Sequence, residues 1–451
     1  MRIAQSKPLF AWDCLEDSPS LRTVRELLAV LPDGPLLESL RSARGRGRND
    51  YPVHVLWGVV VLTVALRHAS TEACLGELRR NEGLRRLIGV ESEEKVPSKF
   101  NMSRFEETLG REPHLSHLVA VFDVLIRRLG EVVPDLGETT AGDATGLSAR
   151  RTKSANAAAE VAQGLPIASG GRKEYEDENG VVTRVVEWFG FKLHLLVDVR
   201  HEVVLSYEIT DTRAGDGETL PTILERALAN LPEGRIKTLA YDRAADSNAV
   251  HALLDEAGVQ PVIRIRSLWE TEPERRLPGH DGTSNVVHDE AGTLYCYDQV
   301  STPPVRRPMA YIGHEPSRGT LKYRCPARHQ GFECPMNSVC NAGLAYGKTV
   351  RVKRDIDQRR FPPIPRATKK FERLYKGRTA AERVNARLKL FWGADDGNVT
   401  GSRRFHAKIG VVLVVHAAFA TLLAAAPRKG ILGKTSLGPV ARALAANLDA
   451  A

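Results

Sequence analysis

The order of extended and helical segments between residues 137 and 266 constrains the fold more than any other feature of the sequence. Short apolar or alternating runs predict three consecutive strands, after which helices and strands alternate. The three strands are predicted at 139–145, 181–199 and 202–210, and the later elements at 220–231, 236–240, 247–257 and 261–265. Residues 150–180 are polar and rich in Ala and Ser, and they are predicted to form a loop.

The resulting order, βββαβαβ, is that of a ribonuclease-H-like α/β core. Asp143 ends the first predicted strand within Gly-Asp-Ala-Thr-Gly, and Asp242 follows the fourth within Tyr-Asp-Arg. A carboxylate at the end of an apolar strand is poorly solvated unless it binds a cation, although such a residue also forms turns. Asp246 is a rival to Asp242, but Asp242 follows the apolar run directly. We therefore take Asp143 and Asp242 as the candidate functional pair.

The other segments are predicted to surround this core. Residues 1–130 contain closely spaced apolar and amphipathic helices and predict a helical N-terminal domain, and 137–266 form the first part of the core. Residues 267–368 are rich in Pro, Gly and charge, with short β-like runs, which indicates an inserted β-rich subdomain. Residues 369–430 complete the core with a late helix, and 431–451 are a C-terminal tail.

The late helix, predicted at 373–392, presents a row of polar side chains. At about 100° per residue, four of them fall within about 60° of one another: Tyr375, Arg378, Glu382 and Lys389. The opposite face is apolar and is predicted to pack on the sheet: Ala381, Val384, Leu388 and Phe391. The row is either a reactive carboxylate held between cations or an ordinary helix face with an i,i+4 ion pair.

Joined with Glu382, the two aspartates make a set of three carboxylates on the first strand, the fourth strand and the late helix. Hard oxygen ligands of this kind suit Mg²⁺ or Mn²⁺. Two such ions activate an attacking hydroxyl and stabilise the leaving 3′ oxygen in an in-line displacement. The three carboxylates therefore predict metal-dependent chemistry on phosphodiesters.

These motifs together make the chain resemble a DDE transposase of a bacterial insertion sequence. The resemblance is to the branch with the signature Y-x2-R-x3-E-x6-K, which is complete here. It covers most of the chain, through VPSKFNMSRFEETL at 96–109, GDATG around Asp143, GFKLHLLVD at 190–198 and LAYDRAADS at 239–247. It also includes the insertion before the late helix and the hydrophobic C-terminal segment. In one departure, Ala244 and Ala245 stand where relatives often have Gly and Tyr.

The resemblance implies an enzyme, its metal ligands and its partners. Asp143, Asp242 and Glu382 would bind two Mg²⁺ or Mn²⁺ ions as the catalytic triad, and Tyr375, Arg378 and Lys389 would hold the DNA end. The enzyme would nick double-stranded DNA at the ends of its element and transfer the freed 3′-OH strand into target DNA. Residues 1–130 would bind DNA, and the chemistry of two ends implies a homodimer on DNA.

Two other functions remain open at this stage. The first is a catalytically inactive DNA-binding protein that descends from such an enzyme, which the Ala244-Ala245 departure favours. The second is a ribonuclease-H-like nuclease that cuts DNA without joining ends, since fold alone does not decide the reaction.

The charge balance also favours a polyanionic partner. The chain of 451 residues has 64 Lys and Arg against 55 Asp and Glu, a net charge of +9. Residues 351–383, called here the basic window, contain twelve Lys or Arg and four acidic residues. Such a run is either a solvated face or a nucleic-acid contact. The aromatic residues Phe361, Phe371 and Tyr375 among the charges favour the nucleic-acid contact.

The cysteines are too sparse for a disulfide scaffold, with six in the chain. Three of them cluster with a histidine in the spacing C-x3-H-x4-C-x5-C: Cys325, His329, Cys334 and Cys340. The four side chains are either ligands of a structural Zn²⁺ or free groups in a loop. Cys14, Cys74 and Cys296 look isolated in the sequence.

One apolar run, residues 409–426, reaches the length of a membrane span. It is either a C-terminal anchor or a buried helix of a soluble core. His416 and several alanines within the run favour the buried helix. Because the N-terminus also lacks an apolar signal-peptide core, we expect a cytoplasmic protein that does not enter a membrane, associated with the nucleoid when bound to DNA.

Overall fold

The computed structural model describes residues 19–45, 50–152, 154–176, 181–279 and 285–425. Cys14 and the predicted tail at 431–451 lie outside the described residues. Within them the chain is a mixed α/β protein with a helical N-terminal region and three β-sheets.

The N-terminal region is helical, as predicted. Its helices are α1 (Pro19–Val30), α2 (Gly34–Arg44), α3 (Val53–Ala65), α4 (Thr71–Arg80), α5 (Glu82–Leu87), α6 (Lys99–Leu109) and α7 (His114–Val132). Ser70 and Ser98 begin α4 and α6, because each hydroxyl accepts a hydrogen bond from a backbone N–H of the first turn. Helix α3 is buried along most of its length.

The central sheet contains the predicted strands and one more. Its elements and connecting helices are β1 (Thr139–Ser148), α8 (Ala157–Ala162), β2 (Ser169–Glu176), β3 (Val182–Asp198), β4 (Val204–Thr210), α9 (Asp216–Asn230), β5 (Thr238–Tyr241), α10 (Asn248–Glu256) and β6 (Gln260–Ile263). The predicted loop at 150–180 is wrong, because it contains α8 and β2. Strand β2 is polar and pairs with the exposed first half of β3, so it lacks the apolar alternation that marks a strand.

The strand order in the central sheet is β2-β3-β1-β5-β6, and β4 pairs with the second half of β3. Strand β1 is antiparallel to β3 and parallel to β5, and β5 is parallel to β6. The first strand in the chain therefore lies at the centre, between an antiparallel part and a parallel part of the sheet.

The described part of residues 267–368 contains two small sheets. Their elements are β7 (Glu274–Arg276), β8 (Val286–Asp289), β9 (Leu294–Asp298), β10 (Val305–Pro308), β11 (Ala310–Glu315), β12 (Thr320–Arg324), α11 (Pro326–Gln330), α12 (Asn337–Cys340) and β13 (Thr349–Lys353). Strands β7–β10 make one antiparallel sheet and β11–β13 the other. The two sheets share a hydrophobic core of their own, which includes Leu294, Leu321 and Phe361.

The predicted helix at 373–392 begins earlier than expected and is interrupted. Helix α13 (Lys369–Tyr375) leads through a 3₁₀ turn (Lys376–Arg378) into α14 (Thr379–Trp392). A single continuous helix was therefore the wrong prediction. Gly377 lies in the turn, and a Cβ there would come within 2.9 Å of Val199. The prediction that Phe391 packs on the sheet is also wrong, because Phe391 is exposed and the neighbouring Trp392 is buried.

The apolar C-terminal run forms α15 (Ser402–Ala425). This helix is long and apolar enough to cross a membrane, but 72% of its most apolar 18-residue window is buried inside the protein. His416 lies at its centre, and the imidazole Nε2 accepts a hydrogen bond from the backbone N–H of Val204 at 3.1 Å. Helix α15 belongs to one continuous hydrophobic core with the N-terminal helices, the central sheet and α14. The burial supports the interpretation as a core helix.

Candidate active site

Two neighbouring parallel strands hold the two predicted aspartates. Strands β1 and β5 pair with Ala141 opposite Ala240, and Asp143 and Asp242 each come two residues later. The register therefore carries both carboxylates to the same end of the strand pair. Gly142 is required beside Asp143, because a Cβ there would lie 2.0 Å from the ring of Tyr241 on β5. The phenolic oxygen of Tyr241 is buried without a hydrogen-bond partner among the described residues.

The carboxylate of Asp242 shapes the chain after β5. It accepts a hydrogen bond from the backbone N–H of Ala244 at 2.8 Å and so begins a 3₁₀ turn (Arg243–Ala245). The side chain is only partly buried, which leaves it accessible from the end of the sheet. Ala244 and Ala245 lie in this turn, so their departure from the usual residues affects its packing and not the carboxylate itself.

The rival residue Asp246 is engaged in contacts within the protein. Its carboxylate is buried and contacts Arg359 at 2.7 Å, His251 at 3.0 Å and Arg366 at 3.4 Å. Burial raises the pKa of Asp246, but its hydrogen bonds and the neighbouring guanidinium groups outweigh this effect and hold the pKa below its usual range. Asp246 thus ties the loop after β5 to the chain that returns from the inserted sheets.

The guanidinium group of Arg378 brings the signature residues together. Its Nη2 lies 2.6 Å from the Glu382 carboxylate and its Nη1 lies 3.9 Å from the Asp143 carboxylate. Burial lowers the pKa of Arg378, but the charges of Glu382, Asp143, Tyr375 and Asp242 outweigh that effect and raise it. Asp143 and Glu382 therefore share one cation, and the charge of Asp242 acts on the same cation from farther away.

Asp143 lies at the base of the site and is partly desolvated. Burial raises its pKa, and the cations of Lys173 and Arg378 offset only part of this effect. The side-chain amide of Asn385 donates to the Asp143 carboxylate at 3.0 Å. The Asn385 carbonyl oxygen is buried without a partner among the described residues. A carboxylate in such surroundings gains free energy from a further cation.

The remaining two signature residues make protein contacts. Tyr375 stacks on Phe371 with ring centroids 5.8 Å apart, and the guanidinium of Arg264 lies 4.5 Å from the Tyr375 ring centroid. The ammonium of Lys389 donates to the carbonyl oxygen of Gly146 on β1 at 2.6 Å and lies 3.3 Å from Asp395. Lys389 therefore fastens α14 to the strand that carries Asp143.

Sequence reasoning missed several residues beside the triad. Asn385 follows Glu382 by about one helical turn, and this spacing could have predicted that it lies on the same face of α14. Asp216 begins α9, pairs with Lys192 at 2.8 Å and lies 3.4 Å from the Nδ1 of His194. The charges of Asp216, Asp143 and Asp242 all act, after burial, to raise the pKa of Tyr241. Asp216 is therefore a fourth carboxylate near the site, and only the fold reveals it.

The basic window separates into two groups. Seven of its twelve cations form ion pairs with carboxylates: Arg351, Arg354, Arg359, Arg360, Arg366, Arg378 and Arg383. Four others lie exposed on α13 and the turn after it, and we call them the α13 basic face: Lys369, Lys370, Arg373 and Lys376. The twelfth, Lys353, is exposed at the end of β13. Much of the positive charge is therefore structural, and the solvent-facing part lies beside Tyr375 and Arg378.

No group of three or more His, Cys, Asp or Glu side chains is arranged to hold a metal ion within the described ranges. In the triad, the Glu382 side chain is exposed and its carboxylate pairs with Arg378. The donor chemistry of three convergent carboxylates, one of them desolvated, nevertheless fits a hard divalent cation.

Comparison with known families places the chain. Residues 136–417 match the family described as transposase DDE domain, and residues 13–108 match the transposase domain DUF772. No curated protein matches the chain. The first match covers the central sheet, the inserted sheets, α13, α14 and most of α15, and it therefore includes Asp143, Asp242 and the four signature residues. The chain belongs to the DDE transposases of insertion sequences.

Proposed function

We propose that this protein is an active DNA transposase that binds the ends of its insertion sequence, cleaves the DNA hydrolytically and transfers the 3′-OH strand into target DNA. The observation that carries the proposal is that Asp143 and Glu382 both lie within 4 Å of Arg378, at the end of the β1–β5 pair to which the strand register also brings Asp242. Asp143 and Glu382 are 239 positions apart in the chain, so it is the fold that brings both to one cation.

The sheet supports a ribonuclease-H-like core. Leaving β2 aside, the order β4-β3-β1-β5-β6 has three antiparallel strands followed by two parallel ones, reached through α9 and α10. In this arrangement β1 is central and its neighbour β5 is parallel, which brings the two aspartates side by side. The late helix α14 then contacts both β1 and β3 and supplies Glu382.

Asp143, Asp242 and Glu382 would hold two Mg²⁺ or Mn²⁺ ions. Bound there, the ions would supply Lewis-acid activation of the attacking hydroxyl and stabilisation of the leaving 3′ oxygen. Glu382 is the residue that has to turn, because it now pairs with Arg378. Arg378 neutralises the carboxylates before metal and DNA bind. Once the carboxylates hold the ions, Arg378 would be free to donate to a DNA phosphate.

The positive groups around the triad would orient the DNA. The α13 basic face lies next to Tyr375 and Arg378, so a duplex end at the triad would pass over it. Lys389 would act by holding β1 and α14 together, in addition to any contact with the DNA end. We propose that the protein acts as a homodimer that binds two element ends. We also propose that it is cytoplasmic and associates with the nucleoid when bound to DNA.

The decisive experiment is cleavage and joining of a labelled duplex that carries the element's own ends, with Mg²⁺ or Mn²⁺. The wild type, Asp143→Asn and Glu382→Gln are compared with Glu372→Gln, a matched control in which an exposed glutamate of α13 is changed. We expect the wild type and the control to cut and join, and both triad variants to bind the ends without either step.

The alternatives give different results in the same assay. Cutting without joining would identify a nuclease, and binding without cutting by the wild type would identify an inactive descendant of the family. If Glu382→Gln cuts as fast as Glu372→Gln, Glu382 does not belong to the catalytic set.

A further inference from the structure

Four cysteines of the inserted region line one small cavity. Its volume is about 30 Å³, which is close to the space of a single water molecule. The thiols belong to Cys296, Cys325, Cys334 and Cys340. His329, which the sequence pattern grouped with the last three, is exposed on α11 and does not line the cavity.

Cys296 comes from a different sheet than the other three. It lies on β9, whereas Cys325 follows β12, Cys334 lies between α11 and α12, and Cys340 ends α12. The cavity therefore lies where the two inserted sheets meet.

We propose that Cys296, Cys325, Cys334 and Cys340 bind a structural Zn²⁺ ion that joins the two inserted sheets. Four thiolates are the commonest all-sulfur ligand set of structural zinc. Within the described residues, the four thiols are not arranged in coordinating geometry. Binding would draw them together and release their protons.

Two amide groups already point at the sulfur atoms. The amide nitrogen of Asn285 lies 3.6 Å from the Sγ of Cys340, and that of Asn341 lies 3.5 Å from the Sγ of Cys325. Lys348 determines both orientations. Its ammonium donates to the Asn285 carbonyl oxygen at 3.2 Å, and its backbone N–H donates to the Asn341 carbonyl oxygen at 2.7 Å. Each amide must therefore present N–H groups to a sulfur, as outer hydrogen-bond donors do for metal thiolates.

The charge and the packing of the segment also fit a metal. Zinc with four thiolates carries a charge of −2, and the cavity is lined by two cationic residues, Arg307 and Lys348. Residues 326–347 contain only two short helices, and Val339, Leu344 and Tyr346 are exposed within them or beside them. Hydrophobic burial is a weak explanation for the conformation of this segment, and a metal would hold it in place.

The test begins with the full-length protein, purified under reducing conditions and analysed for metals by mass spectrometry. We expect about one zinc ion per chain. X-ray absorption at the zinc edge should give four sulfur ligands at about 2.3 Å, with no nitrogen at about 2.0–2.1 Å. This wild-type measurement decides the ligand set even where a variant fails to fold.

The variants distinguish the structural set from the sequence pattern. Cys296→Ser should reduce zinc content at least tenfold, whereas His329→Ala should retain it, as should Cys74→Ser, which changes a buried thiol of α4. Loss of zinc in His329→Ala, a nitrogen ligand in the wild type, bound iron instead of zinc, or a mass lower by two hydrogens per disulfide would each overturn the proposal. None of these results depends on whether the protein cleaves DNA.

Discussion

The carboxylate of Glu202 should determine how firmly α14 is held against the central sheet. Glu202 lies in the turn between β3 and β4 and is buried. It contacts Arg387 at 2.6 Å and Arg383 at 2.7 Å, both on the helix that carries Glu382. Its φ angle of +55° is costly for a residue with a side chain, so other contacts must stabilise this conformation. The change to be made is Glu202→Gln, which keeps the shape and removes the charge.

The free-energy cost of Glu202→Gln depends on how deeply its two partners, Arg387 and Arg383, are buried. Only 9% of the Arg387 side chain is exposed, whereas 53% of the Arg383 side chain is exposed. Removing one partner of a buried ion pair costs roughly 3–5 kcal/mol, because the other charge stays desolvated. An exposed pair contributes only about 0.2–1 kcal/mol. Glu202→Gln should therefore destabilise α14 by roughly 3–5 kcal/mol, and the control Arg383→Gln by about 1 kcal/mol or less.

Hydrogen exchange at residues 379–392 measures this local opening directly. Glu202→Gln should accelerate exchange by roughly a hundredfold or more, since about 1.4 kcal/mol corresponds to a factor of ten. The double variant Glu202→Gln with Arg387→Met should recover much of the loss, because no unpaired buried charge remains. Equal exchange in Glu202→Gln and Arg383→Gln, or no recovery in the double variant, would refute the reasoning.

Three further predictions concern charge. Burial raises the pKa of Asp143, so its ionised form destabilises the folded protein at pH values above the pKa of the unfolded chain. At pH 7 in the presence of a chelator, Asp143→Asn should therefore melt at a higher temperature than the wild type. Added Mg²⁺ should raise the melting temperature of the wild type only. Burial and the charge of Arg387 lower the pKa of His416 to about 3, so stability should fall from about pH 6.5 toward pH 3 as the unfolded chain takes up the proton. His416→Gln retains an acceptor for the Val204 N–H and should flatten melting temperature against pH, whereas an unchanged slope would contradict this assignment. Changing the whole α13 basic face to glutamine should reduce the salt dependence of DNA binding by about 0.9 for each phosphate that is no longer neutralised, while Arg360→Gln, whose cation pairs with Asp357, should leave it unchanged.

Much of the fold was predictable because its signals are local. The apolar alternation of β3, the short apolar run of β5 and the serine that begins α6 each depend on neighbouring residues only. The interruption between α13 and α14 was not predictable in this way, because it arises where Gly377 packs closely on Val199 of a distant turn. Strand β2 escaped prediction because pairing with β3, and not burial, stabilises it.

In the candidate site, too, residues with a local sequence signal were predictable and residues brought in by tertiary contacts were not. Asp143, Asp242 and the signature residues were recognisable from spacing and from the strands that precede them. Asp216 and Cys296 were not, since each joins its neighbours only through tertiary structure. Cys296 precedes Cys325 by 29 positions and lies in another sheet, so sequence proximity selected His329 in its place. Spacing identifies ligands on one element, and it fails for a ligand that an adjacent strand contributes.

The inserted sheets contact the candidate site through charged side chains and not through a shared apolar core. They have a separate hydrophobic core, and the chain that leaves them supplies Arg359 and Arg366 to the buried carboxylate of Asp246. Asp246 lies four residues after Asp242, in the same turn region that follows β5. A displacement of the returning chain would leave the buried charge of Asp246 uncompensated, which is costly. The chain that returns from the inserted sheets therefore holds the loop that follows Asp242, the second candidate carboxylate.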